Sequence, residues 1–521
     1  MDPNKFAAPA DLCVVGSGVA GLSAALTAAE AGATVRLITA GPALSGSSRW
    51  AQGGIAAAIG PTDYPELHEA DTLAVGGDLN DEAAVHVLVT EGQRVMRRLL
   101  RSGMPFDGGA EHPDLGLEAG HGRRRILHAG GGATGERVSS TLLLRALAHP
   151  CITLVAETPV DQLTLAAGRV TGVVSRGQVL PARAVLLATG GYAGLWGRTT
   201  NPPENHGLGL SLAWQAGAAL ADLEFVQFHP TALALPEGPT YLLTEALRGE
   251  GARLVDSAGQ EVVNPLLARD VVARAIARHL ATRGPVYLTL RDLDPAFIAQ
   301  RFPNILAGVA AYGLDLTRDL LPVAPAAHYC MGGVRTDTWG RSGVPGLYVA
   351  GEAACTGAQG ANRLASNSML ECLVFGERAA RVAIADCGLR IADCGMETNE
   401  GRLWQTVPLE EAIPATQTAS RFTFHVLRFT PADLPLRLDR DLGVERDGAR
   451  LGALLADVPD PDAPDCPSEG RLAALATRAA LLRAESRGAH YRTDTPTSDP
   501  AWRGRIHWRR DCAPQFERIV D

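Results

Sequence analysis

Long apolar runs, a basic leader, paired cysteines and lysine are scarce or missing in these 521 residues. No stretch of roughly 18 uncharged apolar residues occurs, so no transmembrane helix is expected. The opening "MDPNKFAAPADLCVVGSG" lacks a basic segment leading into a cleavable apolar core, so secretion is not expected. The nine cysteines are scattered and form no C-x-x-C pair. That excludes the spacing of a zinc ribbon, an iron–sulfur cluster or a disulfide scaffold, and no metal site is expected. A reducing, cytoplasmic location fits best. Arginine carries nearly all the positive charge, and acidic residues outnumber basic ones, 57 against 48, for a net charge of -9. A nucleic-acid partner would favour the opposite balance. No internal repeat is apparent.

What is present is length enough for several domains and a buried site. "DLCVVG" (11–16) reads as a buried strand, "VAGLSAALTAAEAG" (19–32) as an Ala-rich helix ended by glycine, and "TVRLIT" (34–39) as a second strand. Gly16, Gly18 and Gly21 fall at the first turn of this β-α-β unit in G-x-G-x-x-G spacing, the arrangement that admits a dinucleotide pyrophosphate. The second strand ends in "ITAG" without the acidic residue that usually binds a ribose, which weighs against NAD more than against FAD; Thr39 is the available substitute. Two further strand-like runs end in glycine, "RAVLLATGG" (183–191) and "GLYVAGEAA" (346–354). Because ligands in open α/β sheets sit at the carboxyl ends of strands, the three turns are expected to line one site, the alternative being three unrelated turns.

The expected class is therefore α/β: a Rossmann-like domain in two pieces (1–222 and 330–390), an inserted α+β capping domain (223–329), and a C-terminal helical domain (391–521). The last rests on the helical periodicity of "RLAALATRAALLRAESRGAHYR" (471–492) after the Pro/Asp-rich linker "VPDPDAPDCPSEG" (458–470).

Five cationic or titratable groups stand beside glycine or small residues: His229, Arg248, Arg269, His328 and Arg363. Arg363 lies in "ANRLASNSMLECLVFG" (361–376), where a guanidinium fork adjoins a helix start, a pattern suited to an anion. Singly, each has a plainer explanation: a structural histidine, an Arg269–Asp270 ion pair, a solvated arginine at a helix cap. Jointly, scattered buried cations call for an anion to offset their desolvation.

Over residues 10–390 the sequence resembles the succinate dehydrogenase and fumarate reductase flavoprotein family. The motifs, in family order, are "SSRWAQGGIAAA", "RRILHAGGGATG", "QFHPTAL", "TEALRGEGA", "ARDVVARAI", "HYCMGGV" and "GANRLASNSMLECLVFG"; "ESRGAHYRTDTP" (485–496) adds a weaker likeness in the tail. The resemblance implies FAD and a four-carbon dicarboxylate substrate. It implies that His229 and Thr244 hold one carboxylate and His328 and Arg363 the other, that Arg248 helps orient the substrate, and that Arg269 exchanges a proton with Glu245 or Asp270 as relay.

Two positions point to the L-aspartate-oxidising branch, with iminoaspartate as product, O2 (giving H2O2) or fumarate as acceptor, and a quinolinate synthase downstream in NAD synthesis. Ser47 stands where respiratory members carry an FAD-linking histidine, so FAD should be noncovalent. Glu118 stands where that branch places a carboxylate to meet the substrate ammonium, the plainer alternative being an ion pair with Arg123 or Arg124. FAD contacts are implied at Ser17, Gly18, Val19 and Ala20, along Ser47, Ser48, Gln52, Gly53 and Gly54, near Pro159 and Val160, and at Glu352, Ser368 and Met369. Leu208 and Ala40 replace an acidic residue and a lysine common in the family. Other readings kept open are a soluble fumarate reductase or succinate dehydrogenase subunit and a noncatalytic flavin-fold binding protein.

Overall fold

A computed structural model of the chain describes residues 8–235, 240–388, 405–408 and 433–519. The chain opens with β1 (Ala10–Val15), α1 (Val19–Glu30) and β2 (Val35–Ile38), with β1 and β2 parallel and Leu12 opposite Val35. The glycines of the first turn have steric reasons. Gly16 takes φ +112°, and a Cβ there would lie 2.2 Å from the Ala188 carbonyl oxygen; one on Gly21 would lie 1.9 Å from that of Gly16. Helix and strand can approach this closely only without side chains.

β3 (Ile152–Val155) and β4 (Gln178–Leu187) extend the sheet in the order β3-β2-β1-β4, all parallel. The first half of β4 pairs antiparallel with Arg169–Ser175, and its second half enters the parallel sheet. The chain then builds the cap from β5 (Val226–Leu233), α2 (Glu245–Gly249), α3 (Arg269–Thr282) and β6 (Leu321–Cys330). It returns through β7 (Leu347–Val349), which pairs parallel with β4, and α4 (Asn367–Asp386), which packs on α1. Alternate residues of β1 face opposite cores, Cys13 and Val15 one way and Leu12 and Val14 the other, as expected of a parallel sheet covered on both faces. The cap has its own core, built on Leu254, Ile276, Leu288 and Leu321.

The tail supplies α5 (Leu434–Asp441), α6 (Gly448–Asp457) and α7 (Ser468–Leu482). The helical periodicity read through residue 492 overshoots, because α7 stops at Leu482 and the next residues turn their charges inward. Arg483 is fully buried and pairs with Glu224 at 2.6 Å and Glu485 at 3.0 Å. The tail also carries β8 (Gly504–Trp508), antiparallel to Leu220–Ala221 at the entrance to the cap. The domain limit drawn at 390/391 lies outside the described residues. Among the described residues no helix is long and apolar enough to cross a membrane.

Candidate active site

Two irregularities in the cap sheet create the site. Gln227 faces Tyr329 and Phe228 faces Ala327, so His328 is an extra residue on β6; His229 faces Ala326 and Ala232 faces Ala324, so the next extra residue is on β5. Such bulges bend a strand and re-aim its side chains. The His229 and His328 rings meet edge to face with centroids 5.1 Å apart. Both line a cavity of about 120 Å³, together with Thr244 and Glu245 at the start of α2, Arg269 at the start of α3, and Arg363. Glu118 completes the wall and accepts a 2.6 Å hydrogen bond from Ser366 Oγ, so it is not spent on Arg123 or Arg124.

Arg269 Nε donates to Glu245 Oε2 at 2.5 Å and its Nη1 to Gln227 Oε1 at 2.9 Å. Asp270, the other relay candidate, turns away to Arg274 at 2.9 Å and accepts from Asn362 Nδ2. Arg248 departs from expectation. It does not line the cavity but lies buried behind Glu245, 3.4 Å from the same carboxylate oxygen, with Nη1 donating to the Pro265 carbonyl. Its effect on a substrate would pass through Glu245.

Burial, then the Arg269 guanidinium, holds His229 well below the ordinary imidazole value, and burial with Arg363 does the same to His328. Both rings are therefore neutral near pH 7. The Thr231 N–H donates to His229 Nδ1 at 3.3 Å, which leaves Nε2 to carry the proton. His328 Nδ1 meets Thr200 Oγ1 at 2.7 Å. Burial would raise Glu245, but Arg269 and Arg248 outweigh it and keep its carboxyl low. Glu118 is pushed up by burial and by Glu245. Arg363 is lowered to about 10, chiefly by burial and then by Arg269, and remains charged at neutral pH.

A second cavity, about 150 Å³, runs along the carboxyl ends of β1, β4 and β7 and brings the three glycine turns together. Gly16, Ser17, Gly18 and Ala20 line it from the first turn, Val160 and Thr158 flank Pro159, and Thr39, Ala40 and Leu208 form further wall. It shares Ser47, Ser48, Glu352 and Cys372 with the first cavity, so the two are continuous. Gln52, Gly53, Gly54, Ser368 and Met369 lie on the substrate side of that junction. The Val19 N–H is occupied by Ser48 Oγ at 3.1 Å, and Gly21 serves packing.

The space and chemistry fit a flavin dinucleotide. Ser17 Oγ, Thr189 Oγ1 and Gln52 Oε1 are buried without partners along its path, and α1 begins at the cavity with its positive end. Ser47 Oγ donates to Asn201 Oδ1 at 2.7 Å and accepts from Asn205 Nδ2 at 2.9 Å, so this position holds a hydrogen-bonded hydroxyl and no imidazole. Burial raises Glu352 to about 7.

Several site residues carry no pattern in the sequence. Ser366 takes φ +60°, rare for a serine, and from there reaches Glu118. Thr200 and Asn201 clasp His328 from a loop distant in the chain. Only the polar cluster "TTNPPEN" (199–205) could have drawn attention to them.

Residues 11–369 match the FAD binding domain family, and residues 470–517 match the C-terminal region of the fumarate reductase flavoprotein. The chain is 41% identical to an L-aspartate oxidase of Streptomyces coelicolor, over 96% of this chain and 91% of the relative. It is 44% identical to that of Agrobacterium fabrum, over 93% and 91%. Among solved structures, an E. coli quinol fumarate reductase chain superposes with a TM-score of 0.83 at 26% identity, covering 98% of this chain and 97% of that one.

Proposed function

The chain belongs to the L-aspartate oxidases of the succinate dehydrogenase and fumarate reductase flavoprotein family, and from that premise we propose how its residues oxidise L-aspartate to iminoaspartate. The observation that carries the reading is a charge pattern. Arg269, Arg363 and two neutral histidines ring a cavity whose wall also presents Glu118, Glu245 and Glu352. Glu245 is paired with Arg269 and Glu352 accepts the Cys330 N–H, which leaves Glu118, bonded only by Ser366 Oγ, to meet an ammonium, matching a substrate with two carboxylates and one ammonium.

His229 donates from Nε2 to one carboxylate with help from Thr244, and Arg363 with His328 holds the other through charge-assisted hydrogen bonds. Glu118 faces the amino group, and as a carboxylate it repels succinate while pairing with aspartate, selecting partly by repulsion. FAD held noncovalently along the Gly16, Ser17, Gly18 turn and by Ser47, Ser48 and Glu352 would supply the two-electron acceptor for the Cα hydrogen, with O2 (giving H2O2) or fumarate as the final acceptor. The substrate ammonium loses one proton before the Cα hydrogen leaves; the nitrogen then holds two hydrogens in the iminium and one after a second proton is released to give the imine. For fumarate, Arg269 holds the proton destined for carbon; Glu245, kept ionised, and Arg248 behind it form the path that replaces it. An arginine suits this task only beside such a carboxylate, since free guanidinium almost never deprotonates. Iminoaspartate would feed quinolinate synthesis, and hence NAD, through a quinolinate synthase.

The test is optical. The purified protein is expected to be yellow and to release its flavin on acid precipitation, and L-aspartate should bleach it anaerobically whereas succinate should not. Bleaching by succinate alone would make the chain a succinate dehydrogenase or fumarate reductase; a colourless protein would leave only a binding role.

A further inference from the structure

Arg363 is buried, yet among the described residues no carboxylate lies within ion-pair distance of it. Other buried arginines either close on carboxylates, as Arg125 does on Asp63 and Asp71, Arg269 on Glu245, and Arg483 on Glu224 and Glu485, or donate to backbone carbonyls, as Arg446 and Arg471 do. Among the described residues, the side-chain contacts of Arg363 are with neutral groups and include no carbonyl or carboxylate acceptor. Nη1 donates to Ser368 Oγ at 3.0 Å, Nη2 lies 3.4 Å from His328 Nε2, and Nε has no partner. Beneath the guanidinium lies the Tyr329 ring, its centroid 4.5 Å from Cζ.

An aromatic face attracts a cation through its quadrupole and offers no lone pair in the plane of the guanidinium fork. A carboxylate partner would stabilise the buried charge more strongly but would occupy the donors that a substrate carboxylate needs. The ring is itself held. Tyr329 Oη donates to Glu371 Oε2 at 2.9 Å, and Glu371 also accepts from Thr356 Oγ1 at 2.6 Å and Gln359 Nε2 at 2.8 Å. Glu371 and Ser368 both sit in the first turns of α4, so the ring and the fork share one rigid frame. The bulge on β6 that frees His328 also leaves Tyr329 paired with Gln227.

We propose that Tyr329 is a positioning residue for dicarboxylate recognition: its face compensates the Arg363 charge without competing for the fork, and Glu371 locks the ring in place. The inference rests on the reading of Arg363 as a ligand of a substrate carboxylate.

The experiment uses the flavin-loaded protein, with succinate binding read from perturbation of the flavin spectrum and L-aspartate turnover measured alongside. In Tyr329→Leu the succinate Kd and the aspartate KM are expected to rise about 10- to 30-fold, the range for losing one buried cation–π contact, with kcat within about threefold and flavin content unchanged. Tyr329→Phe keeps the face and should bind succinate within about threefold of wild type. If Tyr329→Leu fails to hold flavin, Tyr329→Met carries the same expectation. Unchanged binding in the aliphatic variants, or a Tyr329→Phe defect as large as theirs, would overturn the proposal. A wild-type protein that neither binds succinate nor is bleached by aspartate would instead overturn the reading of the site.

Discussion

Glu118 shares the cavity wall with Arg269 and Arg363 and with the carboxylates Glu245 and Glu352, and its environment decides what it can do. Burial and the neighbouring Glu245 raise its pKa, while Ser366 Oγ donates to it and stabilises the charged form. A raised value means that protonation begins at higher pH than for an ordinary carboxyl, so pairing with the substrate ammonium strengthens as pH rises through it. The acid limb of kcat/KM for L-aspartate is thus expected above the usual carboxylate range, and it should vanish in Glu118→Gln. The same variant should raise the aspartate KM about 30-fold, the worth of roughly 2 kcal/mol for one charge-assisted hydrogen bond, while fumarate reduction changes less than about threefold. Equal losses in both reactions would remove the ammonium contact from the account. That Glu118, His229, Arg269, His328 and Arg363 gather at one cavity was legible in the sequence through their motifs. Ser366 was not, because its function depends on a left-handed backbone and on a partner 248 positions away. Arg248 was legible as a member of the cluster but not as a residue standing behind Glu245, since i,i+3 spacing on a one-turn helix does not fix which side chain faces the cavity.

At the scale of elements, the β-α-β unit was readable because glycine spacing and apolar runs are local signals. The bulges of β5 and β6 were not, because a slip of register exists only between two strands almost 100 residues apart. The end of α7 was misread for a related reason: helical periodicity continues past Leu482, but buried partners for Arg483 and Glu485 override it. The packing of α1 on α4 yields a testable contact. A Cβ on Gly376 would lie 2.7 Å from the Ala20 carbonyl oxygen and 3.3 Å from Ser23 Cβ, and Ser23 Oγ already bonds the Leu373 carbonyl at 3.0 Å. Gly376→Ala gains about 1 kcal/mol of helix propensity, but the clash with backbone forces the helices apart at a cost of about 1–3 kcal/mol. The net expectation is destabilisation and, because the start of α1 lines the dinucleotide cavity, weaker FAD retention. Flavin release on dilution or dialysis measures it; a variant as stable and as flavin-tight as wild type would show that α1 shifts freely.

At the scale of the whole molecule, the tail is tied to the cap at its root. Asp222, at φ +59°, and Glu224 immediately precede β5, the strand that carries Gln227 and His229. Glu224 receives Arg483, which also donates to the Trp502 and Gly504 carbonyls. Arg446 donates to the Glu224 carbonyl and contacts His490. Every one of these side chains is buried, so removing the Glu224 carboxylate leaves Arg483 with Glu485 alone, which it already shares with Arg487. Burial pushes the Glu224 carboxyl up, Arg483 opposes that shift, and the same pairing raises Arg483 despite its own burial. Glu224→Ala is therefore expected to cost about 3 kcal/mol, seen as a lower urea midpoint for loss of flavin fluorescence quenching. It should also loosen the strand that carries His229 into the cavity and, on the proposed role of His229 in substrate binding, raise the aspartate KM by more than it lowers kcat. Glu224→Gln keeps an acceptor for Arg483 and should lose less on both measures. If instead Glu224→Ala lowers the urea midpoint but leaves the KM untouched, the tail stabilises the fold without setting the position of the cap strand.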